Sequence, residues 1–121
     1  KNGRHQLEIN GFEYGLERLI FEMKSQTQVF VIGLTPVDEK KMPFAGCLWY
    51  SNDFCNSYER RMEEVCINQN VPFLPTFREM YSDIRSKNWI SDDGIHLNSN
   101  GHLWIYQRLK SWDVLIKWRE S

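Results

Sequence analysis

Hydrophobic and polar residues follow two periods along this chain, and the two periods predict helices separated by short strands. Apolar residues recur at spacings of three and four in residues 8–26, which predicts an amphipathic helix. Residues 29–34 form a short, continuously apolar run that is rich in β-branched side chains and is followed by Pro36. Such a run is typical of a strand that is buried on both faces. The predicted helix face consists of Phe12, Leu16, Leu19, Ile20 and Met23.

The second half of the chain repeats this order. Residues 52–70 predict a helix with Asn52 or Asp53 as its N-cap and with the run ERRMEE as its solvent-exposed face. Residues 71–74 predict a second buried strand, followed by a helical turn around FREMYSDI. A helix is expected from about Ser99 to Leu109, and the segment WDVLIKW is also expected to be helical. The apolar face of the 52–70 helix consists of Phe54, Tyr58, Met62, Val65 and Cys66.

This alternation of helices and strands predicts an α/β domain in which the two strands are parallel neighbours in one sheet. A helix of suitable length connects them, as a parallel pair requires. Parallel strands that are buried on both faces rarely form sheets of only two, and the sequence offers no convincing third strand. We therefore expect residues 1–121 to form a single unit that is one half of a doubly wound domain.

Composition and charge remove several function classes. The 121 residues carry a formal net charge of −1, which gives no basic footprint for a nucleic acid. Apolar runs such as VFVI are far shorter than the roughly 20 residues that cross a bilayer, so no membrane span is expected. The chain begins at Lys1 rather than at a methionine, and we expect it to belong to a longer protein. Its N-terminal His5 is expected to be solvated.

Three cysteines, Cys47, Cys55 and Cys66, match neither a disulfide framework nor a metal site. We interpret them as free thiols, two of them on one helix, which fits a reducing compartment such as the cytoplasm. His102 is expected to be a partly buried helix residue rather than a metal ligand. The tryptophans near the C-terminus, Trp104, Trp112 and Trp118, are expected to pack the terminal helix.

A long loop, residues 37–51, follows the first predicted strand and contains Phe44, Leu48, Trp49 and Tyr50. Long loops at the carboxyl ends of parallel strands are frequently functional. The prediction for these side chains is that they cover the core. The alternative is that they form a pocket for an acyl or aryl group of a substrate.

The stretch ISDDGIHLNSNGH, residues 90–102, contains the candidate chemistry. Asp93 and His96 are three residues apart, and Gly94 lets the chain curl so that the two side chains become neighbours. A carboxylate that holds one imidazole nitrogen leaves the other nitrogen free to accept a proton from a nucleophile. The alternative interpretation is a capping loop with an incidental histidine, because Asn98 and its neighbours are also good helix caps.

The segment DGIHLNSNGH, continued by LWIYQRL, resembles the last conserved block of the GDSL, or SGNH, hydrolase family. That block has the pattern Asp-Gly-x-His-Pro-Asn-x-x-Gly-Tyr, followed by an apolar helix. Leu97 stands where proline is usual, and His102 where tyrosine is common. The resemblance extends in outline over residues 12–112, through the strand that ends in Thr-Pro, the Asn-Ser-Tyr step and the strand VPFLP. The matching positions are Asp93, Gly94, His96, Asn98 and Gly101.

The resemblance implies a serine esterase or acylhydrolase that hydrolyses a small carboxylic ester through an acyl-enzyme, without a metal or a cofactor. It implies that His96 is the general base and that Asp93 orients it. It also implies a flavodoxin-like, three-layer α/β/α fold with a parallel sheet, of which this chain is the C-terminal half.

The family's nucleophile block, Gly-Asp-Ser, and its Gly-x-Asn-Asp block have no counterpart in the sequence. Ser51-Asn52-Asp53 resembles the asparagine block only superficially, and we interpret these residues as helix caps. We expect the nucleophilic serine to lie outside this chain, in the N-terminal half of the same domain, and the chain alone to self-associate and to be inactive. Two alternatives remain. The domain is noncatalytic and serves binding, or a serine already present, such as Ser51 or Ser91, is the nucleophile.

Overall fold

The computed structural model describes residues 8–121, which form five helices and two short strands. In chain order these elements are α1 (Ile9–Lys24), β1 (Val31–Ile32), α2 (Asn52–Asn68), β2 (Phe73–Leu74), α3 (Thr76–Tyr81), α4 (Ser99–Lys110) and α5 (Asp113–Glu120). Short 3-10 turns occur at Glu39–Lys41 and Ser86–Trp89. Every predicted helix and strand is therefore present, although the bounds differ. The prediction for His5 lies outside the described residues.

The two strands pair in parallel in one sheet, which confirms the predicted pairing. Val31 lies opposite Phe73, and Ile32 lies opposite Leu74. Both strands are shorter than predicted, and Pro75 follows β2 directly with no N–H group for a further ladder bond. The side chains of β1 are half-buried, so the prediction that this strand is buried on both faces was wrong. Within residues 8–121 the sheet contains no third strand whose packing could bury them.

One face of the sheet packs against α1 and α2. The core there consists of Ile20, Val65, Cys66 and Val71, with the half-buried Val31 against it. Of the predicted apolar face of α1, only Ile20 is buried, whereas Leu19 and Met23 are 54% and 44% exposed. The helical period was therefore right, but two of the five residues of the apolar face remain exposed.

The tryptophans pack helices, as predicted. The ring of Phe30 lies 5.8 Å from that of Trp112 and 5.6 Å from that of Trp118, in edge-to-face contacts with the start and the end of α5. Trp104 of α4 lies 5.7 Å from Trp89. Because side chains alternate along an extended chain, Phe30 and Val31 point to opposite sides. Helices therefore lie on both sides of the chain that enters β1.

The start of α2 differs from the prediction. Ser51, and neither Asn52 nor Asp53, is the N-cap, since its hydroxyl accepts the Phe54 amide at 3.1 Å. The extended backbone of Ser51 lets its short side chain turn back onto the first helical turn. Asn52 is the first helical residue, and its amide group binds the backbone of Val37 instead, accepting from N at 2.9 Å and donating to O at 3.0 Å. This pair of bonds fastens the long loop to α2.

Glu59 is fully buried, so the prediction that ERRMEE is a solvent-exposed face was wrong for this residue. Its Oε1 atom accepts the backbone amides of Leu34 at 3.0 Å and Phe77 at 2.7 Å. Its Oε2 atom accepts the backbone amide of Arg78 at 3.0 Å and the Arg78 Nε–H at 3.1 Å. One carboxylate of α2 therefore joins the chain leaving β1 to the first turn of α3.

The cysteines are free thiols in the described structure, as predicted, and Cys55 and Cys66 both lie on α2. Burial raises the pKa of each of these two thiols to about 11. Cys47 is exposed.

Among residues 8–121, no helix combines the length and the apolar character that a membrane-spanning segment needs.

Candidate functional site

Residues 90–97 form a closed loop that brings Asp93 and His96 together. Ile90 and Leu97 form an antiparallel bridge at the base of the loop. Above it, the Ser91 amide donates to the carbonyl of His96 at 2.7 Å, and the Gly94 amide donates to the carbonyl of Ser91 at 3.0 Å. Backbone hydrogen bonds within the loop therefore close it without any side chain.

The side chains of Asp93 and His96 are directly hydrogen-bonded. Asp93 Oδ2 lies 2.5 Å from His96 Nδ1, which confirms the prediction that the two lie within hydrogen-bonding reach. Asp93 Oδ1 accepts the backbone amides of Ile95 at 2.9 Å and of His96 at 3.0 Å. Asp93 therefore both turns the backbone and contacts the imidazole. The His96 side chain is 70% exposed, so its remaining ring nitrogen is accessible from solvent.

These contacts keep Asp93 ionised. The backbone amide and the ring of His96 hold the pKa of the Asp93 carboxyl well below its usual range, and the Ile95 amide adds to this effect. An ionised carboxylate has no proton to donate, so Asp93 Oδ2 can only accept a hydrogen bond. In the neutral imidazole, the ring proton is therefore on Nδ1. The lone pair of the imidazole is then on Nε2, which is the atom that a general base uses.

Gly94 is required at its position for two reasons. Its φ is +86°, a region that side chains with a Cβ rarely adopt, and a Cβ there would lie 2.6 Å from the Lys41 Cβ. Its carbonyl accepts the Asp38 amide at 2.8 Å. Since Asp38 follows β1, the loop lies beside the chain that leaves the carboxyl end of that strand. Ligand sites in α/β sheets occur at this end.

Asn98 and Gly101 connect the loop to α4. The Asn98 side chain accepts the Gly101 amide at 3.0 Å as N-cap of α4 and donates to the Asn88 carbonyl at 2.8 Å. A Cβ at Gly101 would lie 2.6 Å from the Trp89 carbonyl oxygen. Asn98 therefore caps α4, and Gly101 lets α4 lie close to the Trp89 backbone.

Two ion-pair bonds from Arg108 to Glu79, at 2.6 and 3.1 Å, fix α4 against α3.

The aromatic loop lies next to His96. The ring of Phe44 lies 6.3 Å from that of His96 and 6.3 Å from that of Tyr50, edge to face in both cases. Phe44, Leu48 and Tyr50 are half-buried, and Trp49 is 45% exposed. None of the four is itself a buried core residue. Half-buried side chains can still cover a core, so the prediction that they do so stays a prediction. The alternative, an aromatic wall at the candidate site, agrees with the position of Phe44.

The serines that were candidate nucleophiles have other partners. The Ser91 hydroxyl lies 2.9 Å from Asp93 Oδ1 and 2.9 Å from the His96 carbonyl oxygen, on the carboxylate side of the pair. The Ser51 hydroxyl caps α2. Within residues 8–121, the hydrogen bond to Asp93 is the one hydrogen bond that the His96 ring makes.

His102 is exposed on α4, contrary to the prediction that it is partly buried.

A cleft of about 540 Å³ adjoins the base of the loop and is lined by residues that include Asp38, Asn52, Tyr81 and Ile90. Asp93 and His96 are not among its lining residues. The Nε2 side of His96 therefore does not open into this cleft.

Sequence reasoning missed the roles of two residues around the site, because it named Ser91 only as an alternative nucleophile and placed Glu59 on the solvent-exposed face. Ser91 donates to the carboxylate, and its signal is its place two residues before an aspartate in a turn. Glu59 fixes the strand end, and its signal is its place on the apolar face of α2, between Cys55 and Met62 at helical spacing. Because its neighbours in the run ERRMEE are charged, the sequence pattern assigned Glu59 to the solvent-exposed face of α2.

Comparison with models of protein families finds no match to this chain, and comparison with curated proteins finds no significant similarity. The resemblance to the GDSL hydrolases therefore depends on the quoted residues alone. Within the described part of the chain, no group of three or more histidine, cysteine or acidic side chains is placed to hold a metal ion.

Proposed function

We propose that this chain carries the general base and the orienting acid of a serine esterase or acylhydrolase. The observation that supports this most is the bond between Asp93 Oδ2 and His96 Nδ1 on an exposed imidazole. It leaves Nε2 free to accept a proton. The nucleophilic serine comes from a polypeptide segment outside residues 1–121, because the candidate serines of this chain face other groups.

In the first half of the reaction, His96 Nε2 takes the proton of that serine as its oxygen attacks the ester carbonyl carbon. The C=O π electrons move to the carbonyl oxygen and form a tetrahedral oxyanion. Asp93 stabilises the imidazolium that forms without accepting its proton. When the oxyanion collapses, the bond to the leaving alkoxy group breaks, and His96 donates its proton to that oxygen.

In the second half, a water molecule takes the place of the alcohol. His96 Nε2 accepts one of its protons while the water oxygen attacks the acyl carbon. Collapse of the second tetrahedral intermediate releases the carboxylic acid, and the proton returns from His96 to the serine oxygen. The exposed position of His96 gives water access to this step.

The complete fold in this proposal is a doubly wound, three-layer α/β/α domain. Three observations support it: β1 and β2 are parallel, α1 and α2 cover one face of the sheet, and α5 meets Phe30 on the other side. Further strands beside β1 and β2 would bury the half-exposed strand residues and pair the open strand edges.

The substrate class is a small carboxylic ester whose acyl or aryl group packs against an aromatic wall. Phe44 supports this part of the proposal, because its ring is in edge-to-face contact with His96. A flat or apolar substituent beside the scissile bond would pack against this wall, next to the base.

A noncatalytic binding domain is the second candidate. The two backbone bonds of Asp93 Oδ1 favour it, because they give the carboxylate a turn-forming role that needs no chemistry. The two candidates differ in what happens when His96 is replaced. In a binding domain, the substitution leaves ester turnover unaffected.

The chain alone and a longer polypeptide distinguish these candidates. We expect the 121-residue chain to hydrolyse p-nitrophenyl acetate no faster than its His96→Ala variant. A polypeptide with the natural flanking sequence should be labelled by a fluorophosphonate at one serine outside these residues, and His96→Ala should abolish the labelling. His102→Ala is the matched control and should leave it intact. Turnover by the short chain that depends on His96 would contradict the proposal.

A further inference from the structure

The two oxygens of the Asp93 carboxylate have different environments. Oδ2 is bonded to His96 Nδ1 alone among the described residues, whereas Oδ1 accepts three donors. Two of these donors are the backbone amides of Ile95 and His96, and the third is the Ser91 hydroxyl at 2.9 Å. The amides come from the residues that follow Asp93, while Ser91 approaches from the residues that precede it.

The Ser91 proton has two acceptors within reach. The His96 carbonyl oxygen, at 2.9 Å, already accepts the Ser91 amide at 2.7 Å. Asp93 Oδ1 is a charged acceptor, and charge-assisted hydrogen bonds are roughly twice as strong as neutral ones. The hydroxyl proton therefore points to the carboxylate.

We propose that Ser91 is a positioning residue: by donating to Asp93 Oδ1, its hydroxyl holds the carboxylate plane so that Oδ2 meets His96 Nδ1. The two backbone amides alone constrain Oδ1 from one side of the loop. The third donor removes the remaining rotation about the Cβ–Cγ bond, in a loop that water reaches freely. Ser91 thereby favours the imidazole tautomer with its proton on Nδ1 and its lone pair on Nε2.

The catalytic meaning of this role rests on the proposed function, but its test does not, because the ring and the carboxylate can be observed in the 121-residue protein. Ring-nitrogen NMR of ¹⁵N-histidine protein reports the tautomer of His96, with His96→Gln to assign the signals. The ¹³C shift of the Asp93 carboxyl reports its titration. Both measurements are made on the wild type, Ser91→Ala, Ser91→Thr and Ser82→Ala.

We expect Ser91→Ala to lower the fraction of the Nδ1–H tautomer and to move the Asp93 titration to higher pH. Ser91→Thr keeps the hydroxyl and should retain both wild-type values. Ser82→Ala is the matched control, because the Ser82 hydroxyl donates to the Glu79 carbonyl, away from the loop, and it should also retain both values. If Ser91→Ala loses the native circular dichroism, Ser91→Cys takes its place, since its thiol is a weak donor of similar size.

Unchanged tautomer and titration in the folded Ser91 variant would overturn the inference. Labelling of Ser91 itself by a fluorophosphonate would also overturn it, because the hydroxyl would then act as a nucleophile. Absence of esterase activity in every form of the protein would contradict the proposed function. It would not change the expected His96 tautomer or the expected Asp93 titration.

Discussion

Asp93 shows how one side chain can both hold a turn and bind an imidazole. Its Oδ1 closes the backbone of the loop, and its Oδ2 bonds to the His96 ring. The sequence predicted the contact, because an i, i+3 spacing through a glycine lets the chain curl until the two side chains meet. It could not predict which oxygen takes which partner, since that depends on the Ile95 amide and on Ser91.

The lowered pKa of Asp93 predicts how stability depends on pH. A carboxyl group whose pKa is depressed in the folded state stabilises the protein above its ordinary value of about 3.9. This contribution is lost as the pH falls toward the lower, native value. We therefore expect Asp93→Asn to reduce the free energy of unfolding near neutral pH and to reduce it less near pH 3, as measured by urea unfolding. The exposed neighbour provides the control variant, Asp92→Asn.

The ¹³C shift of the Asp93 carboxyl tests the same point directly. It should stay that of an ionised carboxylate down to about pH 3, where an ordinary aspartate is mostly protonated. A midpoint at the ordinary value would show that the hydrogen bonds to Asp93 do not persist in solution.

At the scale of elements, α2 holds the segments around the candidate site, although Asp93 and His96 lie on a separate loop. Asn52 fastens the aromatic loop, and Glu59 fastens the chain that leaves β1 to the start of α3. Periodicity predicted this helix within two residues at its C-terminal end. It assigned the wrong cap because three consecutive residues, Ser51 to Asp53, are all good caps, and only the backbone geometry selects one.

The role of Glu59 predicts a large effect of a small substitution. Glu59→Gln keeps the size of the side chain but replaces one accepting oxygen with a donating NH₂ group. Either the Leu34 and Phe77 amides or the amide and Nε–H of Arg78 then lose their acceptor, at a cost of about 3 kcal/mol in unfolding free energy. Glu64→Gln, on the exposed side of the same helix, should change it by less than about 0.5 kcal/mol. Similar urea midpoints for the two variants would contradict this role.

At the scale of the whole molecule, the parallel pairing of β1 and β2 was predictable, but the burial of the β1 side chains was not. Short apolar strands joined by a helix permit few topologies, which is why the sheet was found as expected. Burial depends on what lies beside the strands, and within residues 8–121 no third strand lies beside them. Large apolar side chains consequently remain exposed, among them Phe21 at 70% and Ile84 at 86%.

These exposed side chains predict self-association. We expect the 121-residue chain to bind a hydrophobic dye and to sediment as a concentration-dependent mixture of monomers and larger species. The double variant Leu19→Gln, Met23→Gln should reduce both effects, because it removes two exposed residues of α1. Arg18→Gln with Glu22→Gln changes two exposed residues of the same helix and should not. A monomer at all concentrations that binds no dye would contradict this prediction.

Ester turnover by the polypeptide with its natural flanking sequence tests whether His96 acts as a base that Asp93 orients. We expect His96→Ala to reduce kcat by a factor on the order of 10⁶ and Asp93→Asn by about 10⁴, with KM nearly unchanged. His102→Ala should have wild-type kinetics. Turnover that persists in the folded His96→Ala protein would contradict the account, because the imidazole beside Asp93 would then have no part in the chemistry.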